Sequence, residues 1–329
     1  MSDRASIGNI VKLSIPIFFA NLVIPLVAIV DTGLMGNLDN ASYLTATSIA
    51  TSVFSLIFWS FGFLRMGTVG IVAQAHGSKE YDEIVNLVFR NITFVVLISL
   101  LLIVCQKYIF TISLSIFELS DDTTKHFKEY FDLRIYSSFG ELTIYIITGL
   151  FIGLQRTTVS SVAVGFFSIT NILFSLLFVV YFDLDVQGVA LGTVISSTLT
   201  AVIFLSYTFF ELQKLTSIKI NFLKIFNVKK IQKLFNINFD IFIRSALLTF
   251  SFLFFTYLGN TIGEDVVAAN TILLNLIMLS AFILDAYAFS TEGIVGYSIG
   301  SKNKKLLTNV IKNSFILSTT TGLLISLIY

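Results

Sequence analysis

Long apolar runs, separated by short polar segments, follow one another along the whole chain. A helix needs about 20 mostly apolar residues to cross a bilayer, because hydrocarbon offers no hydrogen-bond partner to a free backbone group. The runs meet this requirement nine times and predict an all-α polytopic membrane protein. The predicted spans are 11–35, 43–73, 87–110, 130–153, 158–181, 187–210, 236–259, 266–297 and 309–329.

Composition agrees with a membrane environment. Apolar residues make up 55% of the 329 residues and charged residues 12%, and a water-soluble fold of this size cannot bury so much apolar surface. We therefore expect membrane lipids as neighbours. The net charge of +1 lacks the basic excess that indicates a nucleic-acid partner. Cys105 is the only cysteine, which excludes an internal disulfide and a cysteine-built metal site.

Charged residues alternate between the predicted loops. Basic residues mark cytoplasmic loops, so their side of the membrane predicts the orientation. The basic side carries Arg4, Lys12, Lys79, Arg90, Arg156, Lys214, Lys219, Lys224, Lys229, Lys230, Lys233, Lys302, Lys304 and Lys305. The acidic side carries Asp39, Glu118, Asp121, Asp122, Asp183, Asp185, Glu264 and Asp265. This pattern predicts a cytoplasmic N-terminus.

The chain contains a duplicated unit. Shifting it by 223 residues lays GIVAQAHGSK (70–79) over GIVGYSIGSK (293–302), with six of ten positions identical. Six helices, an even number, separate the two segments, so both copies enter the membrane from the same side and are related by an axis along the membrane normal.

The duplication also predicts the domain boundaries. We expect a six-helix N-terminal lobe at 1–211, a cytoplasmic loop at 212–235 and a partial C-terminal lobe with helices seven to nine at 236–329. A complete second copy would have six helices, so we expect a truncated or shortened chain that lacks about three. The loop is either an amphipathic helix on the inner membrane surface or a solvated linker.

Asp31 lies within the first predicted span, in IPLVAIVDTGLMG. An ionised Asp at the centre of a membrane helix costs about 2.5 to 3.5 kcal/mol, so such a residue has a partner or a task. Burial favours the neutral carboxyl, which allows a proton or a monovalent cation to switch its charge. A wetted structural position near the outer end of the helix is the alternative.

Other polar residues also fall inside predicted spans. Asn171 and Thr193 could offer neutral oxygens to a cation, or join helices by hydrogen bonds. Arg65 lies in the second span, and Asp285 and Glu292 are seven residues apart with Arg244 as a plausible counter-ion. A structural ion pair and a proton path both fit this second group.

No catalytic or nucleotide-binding motif occurs in a context that could support it, so we expect a protein that is not an enzyme. We expect no cofactor and no metal, apart from a coupling ion, H⁺ or Na⁺, at Asp31. Any transport then draws on an ion gradient.

Three segments resemble the multidrug and toxic compound extrusion (MATE) family, particularly its DinF-like branch. They are VDTGLMG, FLRMGTVGIVAQAHG, and NILFS followed by VQGVALGTVIS. The resemblance implies a cleft between two six-helix lobes and export of organic, often cationic or amphipathic compounds in exchange for protons or sodium. It covers essentially the whole chain.

The resemblance also implies roles for single residues. Asp31 matches the coupling residue of the family, and Asn171 and Thr193 match positions of its cation site. The family pattern often has an Asp four residues after that Asn, where this chain has Ser175, which favours protons over sodium. Tyr130 and Thr148 would line the substrate chamber.

The predicted function is therefore a cation-coupled antiporter that exports drugs or other organic small molecules by alternating access, as a monomer. A lipid-linked precursor flippase of the same superfamily and an inactive truncated scaffold are the alternatives.

Overall fold

The computed structural model of the chain describes residues 3–38, 40–117, 119–216 and 225–328, apart from some side chains in the last range. Asp39, Glu118, Lys219 and Lys224 lie outside the described residues, as do the side chains of Lys233, Glu264 and Asp265. In the described part the fold is all-helical. The helices are α1 (Ile7–Gly36), α2 (Ala41–Ser60), α3 (Phe63–Ser78), α4 (Tyr81–Val104), α5 (Gln106–Ile116), α6 (Asp121–Arg134), α7 (Ser138–Gly153), α8 (Thr157–Leu176), α9 (Asp185–Leu215), α10 (Val228–Ile262), α11 (Glu264–Gly300) and α12 (Lys304–Ile328).

Eight segments of the described residues are long and apolar enough to cross a membrane. Each overlaps one of the nine predicted spans, and five of those spans lie wholly within their segment. The remaining span, 236–259, falls within α10, which is not among the eight. Large apolar side chains on the outer face, such as Val104, Phe315 and Leu327, are more than two thirds exposed, which suits contact with lipid.

Several predicted spans are broken or displaced in the structure. The second is divided at Phe61 and Gly62, whose N–H groups donate to Phe58 and Trp59 in a tight turn, and the fourth is divided by the 3₁₀ turn Ile135–Ser137. The third begins at Tyr81 rather than at 87, and Arg90, which the charge pattern counted among the basic loop residues, lies inside α4. Arg90 is buried and donates to the Ile225 carbonyl at 2.8 Å.

The first nine helices pack around two apolar clusters. One cluster includes Phe54, Phe127 and Phe131, and the other includes Leu87 and Phe151. Helix α1 packs against α8, α3 against α7, and α8 against α9. Helix α9 continues to Leu215 and α10 begins at Val228, so the helices run further into the predicted 212–235 loop than expected.

The duplicated segments end in the same way. Lys79 and Lys302 both have left-handed backbones, with φ of 63° and 53°. The next N–H donates back into the helix in each copy, from Glu80 to Ala75 at 2.8 Å and from Asn303 to Ser298 at 3.0 Å. These pairs differ by the 223-residue shift, so the repeat extends to backbone geometry.

The two copies also meet each other reciprocally. A Cβ added at Gly77 would overlap the Tyr297 carbonyl oxygen, and one added at Gly300 would overlap that of Gln74. Gly77 corresponds to Gly300 and Gln74 to Tyr297, so each contact is the counterpart of the other. A local two-fold axis produces such reciprocity, as the parallel repeat predicts.

Candidate functional site

Asp31 lies in the last two turns of α1 and faces the interior of the first unit. Its Oδ1 atom is buried without a hydrogen-bond partner. The Ser175 hydroxyl of α8 is within hydrogen-bonding reach of the carboxyl group, and the positively charged guanidinium of Arg134 interacts with it electrostatically. A carboxylate oxygen left free in such a position is available to a proton or a cation.

Asn171, Ser175 and Thr193 form a buried polar group beside this carboxylate. The Asn171 side-chain amide donates to the Thr193 hydroxyl at 2.9 Å, and the Ser175 hydroxyl lies 3.5 Å from Asn171 Oδ1. All three side chains are at most 4% exposed. The structure therefore brings together the four residues that the sequence assigns to cation coupling.

Two glycines allow this group to form. Gly188 and Gly192 are four residues apart on α9, a spacing that lets membrane helices approach closely. A Cβ at Gly188 would lie 2.9 Å from a Val179 side-chain carbon, and one at Gly192 would lie 2.8 Å from the Ser175 backbone nitrogen. The close approach of α9 to α8, and to the helical turn Leu177–Tyr181 that follows α8, depends on both glycines lacking a side chain.

Replacing Gly192 with alanine is expected to lower the free energy of unfolding by about 1–3 kcal/mol, because the new Cβ meets backbone that cannot move alone. Gly165→Ala is the matched control, since Gly165 of α8 has no atom within 4 Å of such a Cβ. The control should be neutral or gain about 0.5–1 kcal/mol. Thermal unfolding of both variants in detergent measures the difference, and equal melting temperatures would contradict the close approach.

Tyr130 and Thr148 were assigned to the substrate pathway by resemblance. Tyr130 is 3% exposed and lies within electrostatic reach of Asp31 and Arg134. Thr148 is 4% exposed and donates to the Ile144 and Tyr145 carbonyls of its own helix. Their substrate role stays a prediction.

Sequence reasoning missed Arg134 and Glu141. Arg134 Nη1 lies 2.5 Å from Glu141 Oε1, and the Ser137 hydroxyl donates to the same oxygen at 2.8 Å. The guanidinium also lies over the rings of Phe54 and Phe58. Two charges seven residues apart within one predicted span were the available signal, the same spacing that drew attention to Asp285 and Glu292.

A cavity of about 560 Å³ lies between the ends of α1 and α8. Val30 and Gly33 line it on α1, Leu176 lines it on α8, and Asp183 lines it on the following loop. The cavity extends towards the loop that the charge pattern assigns to the outer side.

A second cavity, of about 450 Å³, lies where α10 and α11 meet α3. Arg244, Asp285 and Glu292 all line it, together with Met66 and Phe289. The guanidinium of Arg65 lies 3.9 Å from the centroid of the Phe289 ring. The structure thus gathers the second group of intramembrane charges around one space.

A sequence model of the MatE family matches residues 16–177 and 241–329. The chain belongs to the MatE family. It is 28% identical over 319 residues to DNA damage-inducible protein F of Escherichia coli (strain K12), covering 96% of this chain and 69% of that protein. The resemblance to MATE proteins of the DinF-like branch is confirmed.

Solved structures of MATE transporters share the fold. A MOP superfamily transporter from Pyrococcus furiosus Vc1 (DSM3638) superposes with a TM-score of 0.85 at 19% identity, over 96% of this chain and 70% of that one. An outward-facing conformation of a multidrug resistance MATE family transporter gives a TM-score of 0.84 at 18% identity, again over 96% and 70%. This chain is therefore a multi-pass membrane protein of a transporter family, in agreement with the expectation that it is not an enzyme.

Proposed function

We propose that this MATE protein is a cation-coupled antiporter that exports organic small molecules by alternating access. The free, buried oxygen of Asp31 is the observation that carries the proposal. It faces polar groups from other helices, so a change in its charge alters packing inside the first lobe.

Protons are the coupling ion that the site favours. Ser175 supplies a hydroxyl where a second carboxylate would strengthen a sodium site, and Arg134 carries a positive charge within reach of Asp31. A second cation beside Arg134 is repelled, whereas a proton converts Asp31 to a neutral acid. Protonation then releases Arg134 from Asp31, which leaves Glu141 as its partner.

The contact between the repeats supports alternating access. Helices α3 and α11 meet through Gly77 and Gly300, at the end of the molecule that carries Lys79, Lys302, Lys304 and Lys305. With the basic loops in the cytoplasm of a bacterium, this arrangement is a cleft closed on the inner side of the plasma membrane. Inward opening requires these helix ends to separate.

Gradient dependence in proteoliposomes tests the proposal. An imposed pH gradient is expected to drive uptake of ethidium, a fluorescent organic cation, into vesicles that contain the chain with an acidic interior. Nigericin, which exchanges protons for potassium, should stop the uptake. An equal sodium gradient at constant pH should drive little ethidium uptake.

Vesicles without protein are the control for leakage. Protein-dependent flux of the same size with and without any ion gradient would refute coupling, and flux driven by sodium alone would refute the choice of protons.

A further inference from the structure

The second cavity holds charges of both signs that do not pair with one another. Arg244, Asp285 and Glu292 line it, and Asp240 lines it as well. Asp285 and Glu292 lie within electrostatic reach of Arg65 and Arg244. Among the described residues no ion pair of 4.0 Å or less joins any of these five side chains.

Unpaired carboxylates in a membrane-crossing segment such as Leu276–Gly300 need a reason, because each would be cheaper to replace with an apolar residue. A structural ion pair would bring a guanidinium and a carboxylate into contact, as Arg134 and Glu141 do at 2.5 Å in the first lobe. Here the charges stand apart around a common space. That separation suits a ligand that fits between them.

The positive charges lie on α3 and α10, and the carboxylates lie mainly on α11. Arg244 Nη2 is 3.4 Å from the sulfur of Met66, so this guanidinium donates to a neutral thioether. Asp285 and Glu292 are seven residues apart on α11 and flank Ala288 and Phe289 along the cavity wall. The walls therefore offer donors for an anion, acceptors for a cation and an apolar surface beside both.

The size of the cavity suits a small molecule. Ligand sites commonly measure about 300–1,000 Å³ and combine apolar lining with a few placed charges. At about 450 Å³ the cavity accommodates one compact head group with an attached ring. Phe289, with the guanidinium of Arg65 against its ring, supplies an aromatic surface for stacking.

We propose that this cavity binds a zwitterionic amphiphile, with its carboxylate or phosphate at Arg244 and its ammonium at Asp285 and Glu292. The proposal goes beyond the proposed function by assigning this cavity its own class of ligand, in addition to the organic compounds that the protein exports. It differs from a site for simple organic cations because it requires the negative group of the ligand as well as the positive one.

A matched set of four fluorescent probes tests the two charges separately. All four share the dansyl ring system. Nε-dansyl-lysine carries both charges, its methyl ester only the positive one, and its Nα-acetyl derivative only the negative one. The compound with both groups blocked carries neither. Binding to the purified chain in a non-ionic detergent is followed by dansyl fluorescence. The zwitterion is expected to bind about tenfold or more tightly than either singly blocked probe, since a hydrogen bond to a charged group is worth that factor.

Two variants assign each charge to its wall. Arg244→Gln should bind the zwitterion no better than the methyl ester, and Glu292→Gln should bind it no better than the acetyl derivative. Each variant should still bind the ester or the acetyl probe respectively at native affinity, which shows that it is folded. Lys304→Gln and Asp122→Asn, which change exposed residues on other helices, are the matched controls and should keep the full preference.

Equal affinity for the zwitterion and its methyl ester would overturn the proposal in favour of a cation site. The proposal would also be overturned if both variants still preferred the zwitterion to the singly blocked probes, or if none of the probes bound. Because the measurement uses no gradient, Asp31→Asn should bind the probes normally, so failure of coupling and failure of this site are distinguishable. Displacement by dihexanoyl-phosphatidylethanolamine would assign the site to a lipid head group, and no displacement would assign it to a free zwitterion.

Discussion

Asp31→Asn is expected to reduce gradient-driven export to the level of vesicles without protein. Asparagine has nearly the shape of aspartate but cannot take up and release a proton at any physiological pH. The site would stay permanently neutral, so the ion gradient could no longer alter the first lobe. The rate of ethidium uptake at an imposed pH gradient measures the effect.

Folding must be separated from coupling in this variant. A neutral amide costs less to bury than a carboxylate with a free oxygen, so its melting temperature in detergent should be no lower than that of the native chain. Asp122→Asn, the same change at an exposed position of α6, should transport normally. Undiminished pH-driven uptake by Asp31→Asn would remove Asp31 from the mechanism.

Gly300→Ala is expected to open the contact between the two repeats. The new Cβ would overlap the backbone carbonyl of Gln74, and a backbone atom can yield only if α3 and α11 move apart. Such overpacking costs about 1–3 kcal/mol, which shifts an equilibrium between closed and open forms by about 5- to 150-fold. The ratio of the form with the inner side open to the closed form should therefore rise by that factor.

Spin labels at positions 78 and 301 would report this opening. The two serines are repeat equivalents that follow or end the helices of the contact, and both are exposed. On a Cys105→Ser background, pulsed dipolar spectroscopy should show a short distance in the native chain and a longer one in Gly300→Ala. Gly70→Ala, on α3 with nothing within 4 Å of its new Cβ, should leave the distance unchanged. An unaltered distribution in Gly300→Ala would contradict the proposed closure.

Hydrophobic pattern predicted the existence of the helices better than their continuity. Apolar length indicates which residues can lie in hydrocarbon. Apolar length does not indicate where a tight turn interrupts an α-helix, as happens at Phe61 and Gly62 and again at Ile135–Ser137. Nor did it predict the start of α4 at Tyr81, because the first turn carries Asp82 and Glu83 and is polar.

The candidate coupling site was predictable in its members but not in its surroundings. Asp31, Asn171, Ser175 and Thr193 each carry a local signal, and the structure gathers them in one place. Arg134 became relevant only when the fold placed its guanidinium within electrostatic reach of Asp31. The glycines that bring α8 against α9 also act through packing, which no single segment reveals.

For the second charged group, the sequence predicted which residues lie together but not whether they form ion pairs. Spacing along α11 was enough to put Asp285 and Glu292 on one face, and Arg244 was a reasonable partner. What the sequence left open was whether these residues touch. They surround a cavity without pairing. Paired charges would indicate a structural ion pair, whereas separated charges around a cavity indicate a ligand-binding site.

The reciprocal contact of Gly77 and Gly300 bears on the ancestry of the molecule. Gly77 lies against the carbonyl of Tyr297, three residues before Gly300, and Gly300 lies against the carbonyl of Gln74, three residues before Gly77. The contact surface is therefore complementary to itself. Two separate copies of a single half-length chain would make the same pair of contacts. The association of the halves therefore needed no new surface when the gene was doubled, and an ancestral homodimer could have used it before the fusion.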